Sequence, residues 1–126
     1  MHAIDTNVLV RLLVRDDPRQ LEAAELFIAK GAWISHLVLV ETLWVLDAVY
    51  ERSAQQVAAV ERLLAHAQLT LQDADVVAAA LGQFRNKPTL GFSDCLVLEV
   101  ARRSGHLPLG TFERQLGKLA GANRLD

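Results

Sequence analysis

Short apolar runs alternate along the chain with longer stretches of helical spacing. His2-Ala3-Ile4 is the first run, and it stops at Asp5. After Asp5-Thr6-Asn7, the segment Val8-Leu9-Val10-Arg11-Leu12-Leu13-Val14 predicts a short helix. Asp17 is a good N-cap and Pro18 suits the first position of the helix that follows. Leu21, Ala24 and Ile28 keep helical spacing there, and Gly31 supplies the stop. Ala32-Trp33-Ile34-Ser35 predicts a second buried strand, with a helix over about 37–51 after it. Ser53-Ala54-Gln55-Gln56 has the pattern of a capping box, with Ser53 as the cap and Gln56 reaching back. It opens a helix with Val57, Val60 and Leu64 on one face, expected to pair antiparallel with the helix before it. Leu69-Thr70-Leu71 is a third strand, and Val76, Val77, Ala80, Leu81 and Phe84 mark the next helix. A loop over 85–91 leads to a helix over 93–104, closed by Gly105. Leu107-Pro108-Leu109-Gly110 is a fourth strand, with Pro108 tolerable only at a strand end. Thr111 is expected to cap a last short helix, and Asn123-Arg124-Leu125 to add an edge strand.

Strands alternating with helices predict a parallel sheet covered on both faces. The expected fold is α/β, a three-layer α/β/α sandwich with a four- or five-stranded parallel sheet, in a single domain over 1–126. At 126 residues, 52% hydrophobic and 22% charged, the composition excludes a disordered chain, and one cysteine excludes a disulfide scaffold. Neither a membrane-length apolar run nor a signal-peptide pattern is present, so a soluble, cytoplasmic domain is expected. The net charge of −2 does not by itself advertise a nucleic-acid partner.

Candidate chemistry lies in the acids. In parallel α/β sheets, ligands bind beyond the carboxyl ends of the strands. Asp5 directly follows the first strand, and Glu41 lies early in the helix after the second. Asp94 opens the helix after the 85–91 loop, and Glu113 follows the fourth strand. Glu41 shares a helical face with Leu37, Val40 and Trp44, and Asp94 with Val97, Leu98 and Ala101, so both read as acids on core faces. A pair of carboxylates ~4 Å apart costs about 4 kcal/mol at an effective dielectric of about 20. A divalent cation offsets this, and Mg²⁺ or Mn²⁺ suits carboxylate and water oxygens. Plain structural roles compete for each acid. Asp5 can cap its helix, Glu41 can point outward, Asp94 can complement the helix dipole, and Glu113 fits ordinary helix-start chemistry.

Asp5-Thr6-Asn7-Val8-Leu9-Val10-Arg11 resembles the start of PIN-domain nucleases. So do Leu39-Val40-Glu41-Thr42-Leu43-Trp44-Val45-Leu46, Gly91-Phe92-Ser93-Asp94-Cys95-Leu96 and Leu109-Gly110-Thr111-Phe112-Glu113. In order and spacing the four blocks resemble the VapC-like ribonucleases of type II toxin–antitoxin modules. The resemblance implies that Asp5, Glu41 and Asp94 match the three central acids of the family's metal site. Thr111-Phe112-Glu113 matches a segment that usually reads Thr-Phe-Asp, so the fourth acid is one methylene longer here. Thr6, Asn7, Ser93 and Thr111 resemble polar residues supporting those acids. The same resemblance implies a Mg²⁺- or Mn²⁺-dependent endoribonuclease, inhibition by a cognate antitoxin and a homodimer.

On this reading Asp5, Glu41 and Asp94 hold the principal ion, while Asp94 and Glu113 place a second ion or the attacking water. Arg11, Arg15, Arg85 and Lys87, with Arg102, Arg103, Arg114 and Lys118, are candidate phosphate contacts, each also readable as a solvated charge. RNA in single-stranded or loop form is favoured over a duplex, because a scissile phosphate must descend among the carboxylates. The four histidines lack metal-ligand spacing and Cys95 lacks a histidine partner, so all read as structural. Trp33 and Trp44 are expected in the core or an interface, and the helices over 37–67 are expected to leave a groove for a dimer mate or antitoxin helix. Two other readings stay open. One is a catalytically weakened PIN-like RNA-binding module. The other is a Mg-dependent phosphatase or phosphotransfer receiver, although Asp5-Thr6-Asn7 lacks the second acid such a phosphatase needs.

Overall fold

The computed structural model describes residues 1–126, apart from the side chain of Ser53. Two compact units divide the chain, Met1–Ala74 and Asp75–Asp126. The class is α/β as expected: six α-helices and five short strands among the described residues, every strand pair parallel.

The first unit carries β1 (His2–Ala3), α1 (Thr6–Val14), α2 (Pro18–Ile28), β2 (Ala32–Ile34), α3 (His36–Ala48), α4 (Gln56–Ala65) and β3 (Leu69–Leu71). Its sheet runs β1-β2-β3, with His2 opposite Ala32 and Ile34 opposite Leu71. Parallel neighbours need long crossovers, and the helix pairs α1–α2 and α3–α4 supply them. Alternation is clear in β2 and β3, where Ala32, Ile34, Leu69 and Leu71 are buried and Trp33 and Thr70 are exposed. Asp17 caps α2 by accepting from the Gln20 N–H, with Pro18 in the first turn, as the sequence predicts. Ala24 and Ile28 are its buried residues.

One expectation fails in this unit. The capping box fails at the backbone, because Ser53–Gln55 is a separate 3₁₀ turn and α4 starts at Gln56. The cap assigned to the Ser53 side chain lies outside the described residues.

The second unit holds α5 (Ala74–Asn86, from its second residue on), α6 (Phe92–Arg103), β4 (Leu109–Thr111) and β5 (Ala122–Arg124). Strands β4 and β5 pair with each other, so the five strands form two sheets rather than one. Pro108 falls just outside β4, where its missing N–H costs nothing. Val77, Ala80, Cys95 and Leu98 are fully buried, and Phe84 meets Phe92 edge-on at 6.1 Å. Arg103 on α6 pairs with Asp75 on α5 and holds that exposed carboxyl below its usual range.

Candidate active site

Chain leaving the carboxyl ends of β1, β2 and β3 carries a set of linked side-chain hydrogen bonds. Asp5 caps α1, its Oδ1 accepting the Val8 N–H at 3.0 Å. That capping role uses one carboxylate oxygen of two. The next residue, Thr6, donates its hydroxyl to Glu41 Oε1 at 3.0 Å. This bond ties the first residue of α1 to the middle of α3, across 35 positions of sequence. It therefore brings Glu41 beside the segment that carries Asp5. Asn7 takes a different course and lines a groove with residues of α1 and α2.

The placement of α3 is itself controlled at its start. Ser35 caps it through the Val38 N–H at 3.1 Å. The His36 N–H donates to Gln72 Oε1 at 2.9 Å, and His36 Nε2 bonds the Gln72 carbonyl at 2.8 Å. Gln72 follows β3 directly, so α3 is pinned to the same strand ends that Asp5 follows. The sequence reading left His36 as structural, and it has this positioning role; Gln72 carried no signal of its own.

In the second unit, Asp94 is half-buried in the first turn of α6. A Cβ on Gly91 would lie 3.7 Å from both Asp94 Oδ2 and Ser93 Oγ, so both side chains lean toward that glycine. Thr111 ends β4 and its hydroxyl accepts the Glu113 N–H at 3.0 Å. Glu113 Oε2 accepts the Leu116 N–H at 2.5 Å, capping the 3₁₀ turn Leu116–Lys118. The expected last helix with a Thr111 cap is thus a single 3₁₀ turn capped by Glu113. The longer side chain lets the acid reach a donor three residues on.

The expectation of buried acids is corrected. Leu39, Thr42, Leu43 and Leu46 form the buried face of α3. Glu41 lies on the opposite side with Leu37 at 70% exposure and Trp44 at 60%, so neither acid burial nor a core tryptophan is found there. Asp5 and Glu113 are exposed as well. Desolvation therefore supplies no need for a cation, and the argument for one rests on the donor set. One deeply buried acid was missed: Glu99 on α6, 8% exposed and held by Arg102 at 3.2 Å and Gln83 at 3.4 Å. Cys95 is fully buried, and burial, with the Asp94 and Glu99 charges, pushes its thiol up to about 11.

Several candidate phosphate contacts are already engaged. Arg11 bonds Asp16 at 2.8 Å and Tyr50 Oη at 2.6 Å, and these partners raise its pKa further, the Tyr50 hydrogen bond most. Arg15 pairs with Glu25 at 3.2 Å, and Arg102 also donates to the Ala120 carbonyl at 2.6 Å. Arg85, in the last turn of α5, is exposed and has an interaction of its own, and Lys87 is half-exposed just after that helix.

No group of three or more His, Cys, Asp or Glu side chains stands at metal-binding spacing among the described residues. The carboxylates come as Asp5 and Glu41 in the first unit and Asp94 and Glu113 in the second. The first pair fits a hard cation. Both are oxygen donors, each with one oxygen outside its recorded hydrogen bond, and Mg²⁺ is commonly bound by one or two carboxylates while keeping several waters. No helix among the described residues is long and apolar enough to cross a membrane.

A family model described as PIN domain matches residues 3–122. No curated protein and no solved structure matches the chain.

Proposed function

Because the chain belongs to the PIN domain family, a nuclease fold, we propose that it is a metal-dependent endoribonuclease and the toxin of a toxin–antitoxin pair. The observation that supports the reading is the Thr6–Glu41 hydrogen bond, which brings Glu41 to the residue that follows Asp5, after the carboxyl end of β1 where ligands of such folds bind. Asp5, Glu41 and Asp94 would hold Mg²⁺ or Mn²⁺. The bound ion would make water nucleophilic at neutral pH and neutralise charge on the phosphate.

The chain's own groups have separable tasks. The Val8 N–H fixes Asp5 Oδ1 and leaves the other oxygen outside that bond. The Thr6 hydroxyl fixes Glu41 Oε1. Ser93 and Thr111 support the chain around Asp94 and Glu113. Glu113 keeps Oε1 for a water while Oε2 caps its turn. Arg85 and Lys87 contact RNA phosphates near that loop, and Arg15 does so only by leaving Glu25.

The exposed strip of Leu37 and Trp44 on α3 supports an interface for a second copy or an antitoxin helix. A buried free thiol and an RNA substrate suit the cytoplasm. The use of Glu113 as a cap favours one competing reading, a PIN-like module that binds RNA with weakened cleavage. Purified protein incubated with single-stranded RNA separates them. Cleavage with Mg²⁺ or Mn²⁺ that stops on adding EDTA supports the nuclease. RNA binding with intact RNA under both conditions supports the module.

A further inference from the structure

Between α1 and α2 the first unit holds a groove of about 320 Å³ that opens at Asp5. Its floor is apolar, and Asn7, Gln20 and Arg11 stand along it as hydrogen-bonding groups. Phe27 also lines the groove. This ring is 48% exposed although its helix neighbours Ala24 and Ile28 are buried. It stacks on His2, with ring centroids 4.6 Å apart and planes 25° from parallel. A second depression of about 460 Å³ shares Ala23 and Phe27 with the first and is lined also by His2, Leu26 and Lys30.

We propose that these two depressions form a track for single-stranded RNA, with one nucleoside seated beside Asp5 and the next in the second depression. The proposal rests on the nuclease reading and names the substrate path of that same site. Each cavity is in the size range of a small-ligand pocket, and the first has room for one nucleoside. Aromatic platforms beside cations are how proteins hold single strands, because every base offers a face to stack. Duplex bases have no such face free. Asn7 and Gln20 carry both donors and acceptors, which suits a base edge. Arg11, clamped by Asp16 and Tyr50, is a pre-placed positive charge beside the first nucleoside. Lys30 offers a second cation in the second depression. An amphipathic protein helix would fit less well, since two amides, a guanidinium and a carboxylate line the groove beside its apolar floor.

The test uses a fluorescein-labelled single-stranded RNA octamer of mixed sequence, with EDTA present so that nothing is cut. Anisotropy is read for wild type, Phe27→Ala, Phe27→Trp and Lys30→Ala, each checked by thermal melting. The track predicts binding about tenfold weaker in Phe27→Ala and restored in Phe27→Trp. It predicts a smaller loss in Lys30→Ala that shrinks as salt rises. It also predicts that side-chain amide NMR signals of Asn7 and Gln20 shift when 5′-mononucleotides are added. Wild-type binding in Phe27→Ala with unmoved amide signals overturns it. Loss of self-association in Phe27→Ala with RNA binding intact overturns it too, and assigns the face to a second copy. Metal-dependent cleavage whose KM ignores Phe27→Ala removes the track and leaves the nuclease standing. Phe27-dependent RNA binding in a protein that never cleaves keeps the track and removes the nuclease.

Discussion

Asp5 caps α1 and, on the proposed function, holds a metal ion, and the two roles separate by substitution. Asparagine caps a helix about as well as aspartate, whereas alanine costs about 1 kcal/mol. Asp5→Ala should therefore lower the melting temperature by a few degrees, and Asp5→Asn should not. Thr42 is the opposite case. Its hydroxyl is fully buried without a hydrogen-bond partner among the described residues. Valine replaces that hydroxyl with a methyl of similar shape, so Thr42→Val should stabilise the protein by about 1 kcal/mol in urea unfolding. Cys95 titrates with a definite sign. The unfolded thiol ionises near pH ~8.5, while the folded one holds its proton to about 11. The unfolded state thus releases the proton first, and stability should fall as pH rises through that window. The fall should vanish in Cys95→Ala, and native Cys95 should resist a thiol reagent at pH 8 that labels it in urea. Asp5 was legible because a strand end and a cap signal coincide there. The lone hydroxyl of Thr42 was not, since nothing in Val40-Glu41-Thr42-Leu43 says which way a threonine will face.

At the scale of elements, caps and stops located the helices. Asp17-Pro18 and Gly31 bracket α2 in the sequence and in the fold. Helix α3 shows the boundary of such reasoning. Apolar residues point in almost every direction around it, so its period cannot choose the buried side. Burial selects Leu39, Thr42, Leu43 and Leu46, and leaves Glu41 on the exposed side, where it accepts the Thr6 hydroxyl. The start of α3 is set by His36 and Gln72, a contact between segments 36 residues apart that no local pattern reveals. If this pin aims Glu41, Gln72→Ala should weaken Mg²⁺ binding in calorimetry and cost about 1 kcal/mol of stability. Unchanged affinity beside the stability loss would separate the pin from the site. The end of the chain misled for a related reason. Thr111-Phe112-Glu113 reads as a helix start, but only a 3₁₀ turn forms, with glutamate rather than threonine as its cap.

On the scale of the whole molecule, the alternation of apolar runs and helical periods was enough for an α/β fold with parallel strands. It was not enough for the pairing, because strands of two or three residues carry too little pattern to fix which neighbours bond. Asp5, Glu41 and Glu113 were legible from the strands before them and Asp94 from the helix start after the 85–91 loop, but not their exposure. They are exposed or half-buried, so an ion is not required to relieve a buried charge. What remains is a donor set of hard oxygens on a nuclease fold, with Glu41 bonded to the residue that follows Asp5.

Cleavage of single-stranded RNA by wild type and Asp5→Asn, with melting curves of both and an EDTA control, tests that claim most directly. Wild type should cut only with Mg²⁺ or Mn²⁺, and Asp5→Asn should lose at least about a hundredfold in rate at an unchanged melting temperature. Full-rate cutting by Asp5→Asn, or cutting by wild type that persists in EDTA, would contradict it.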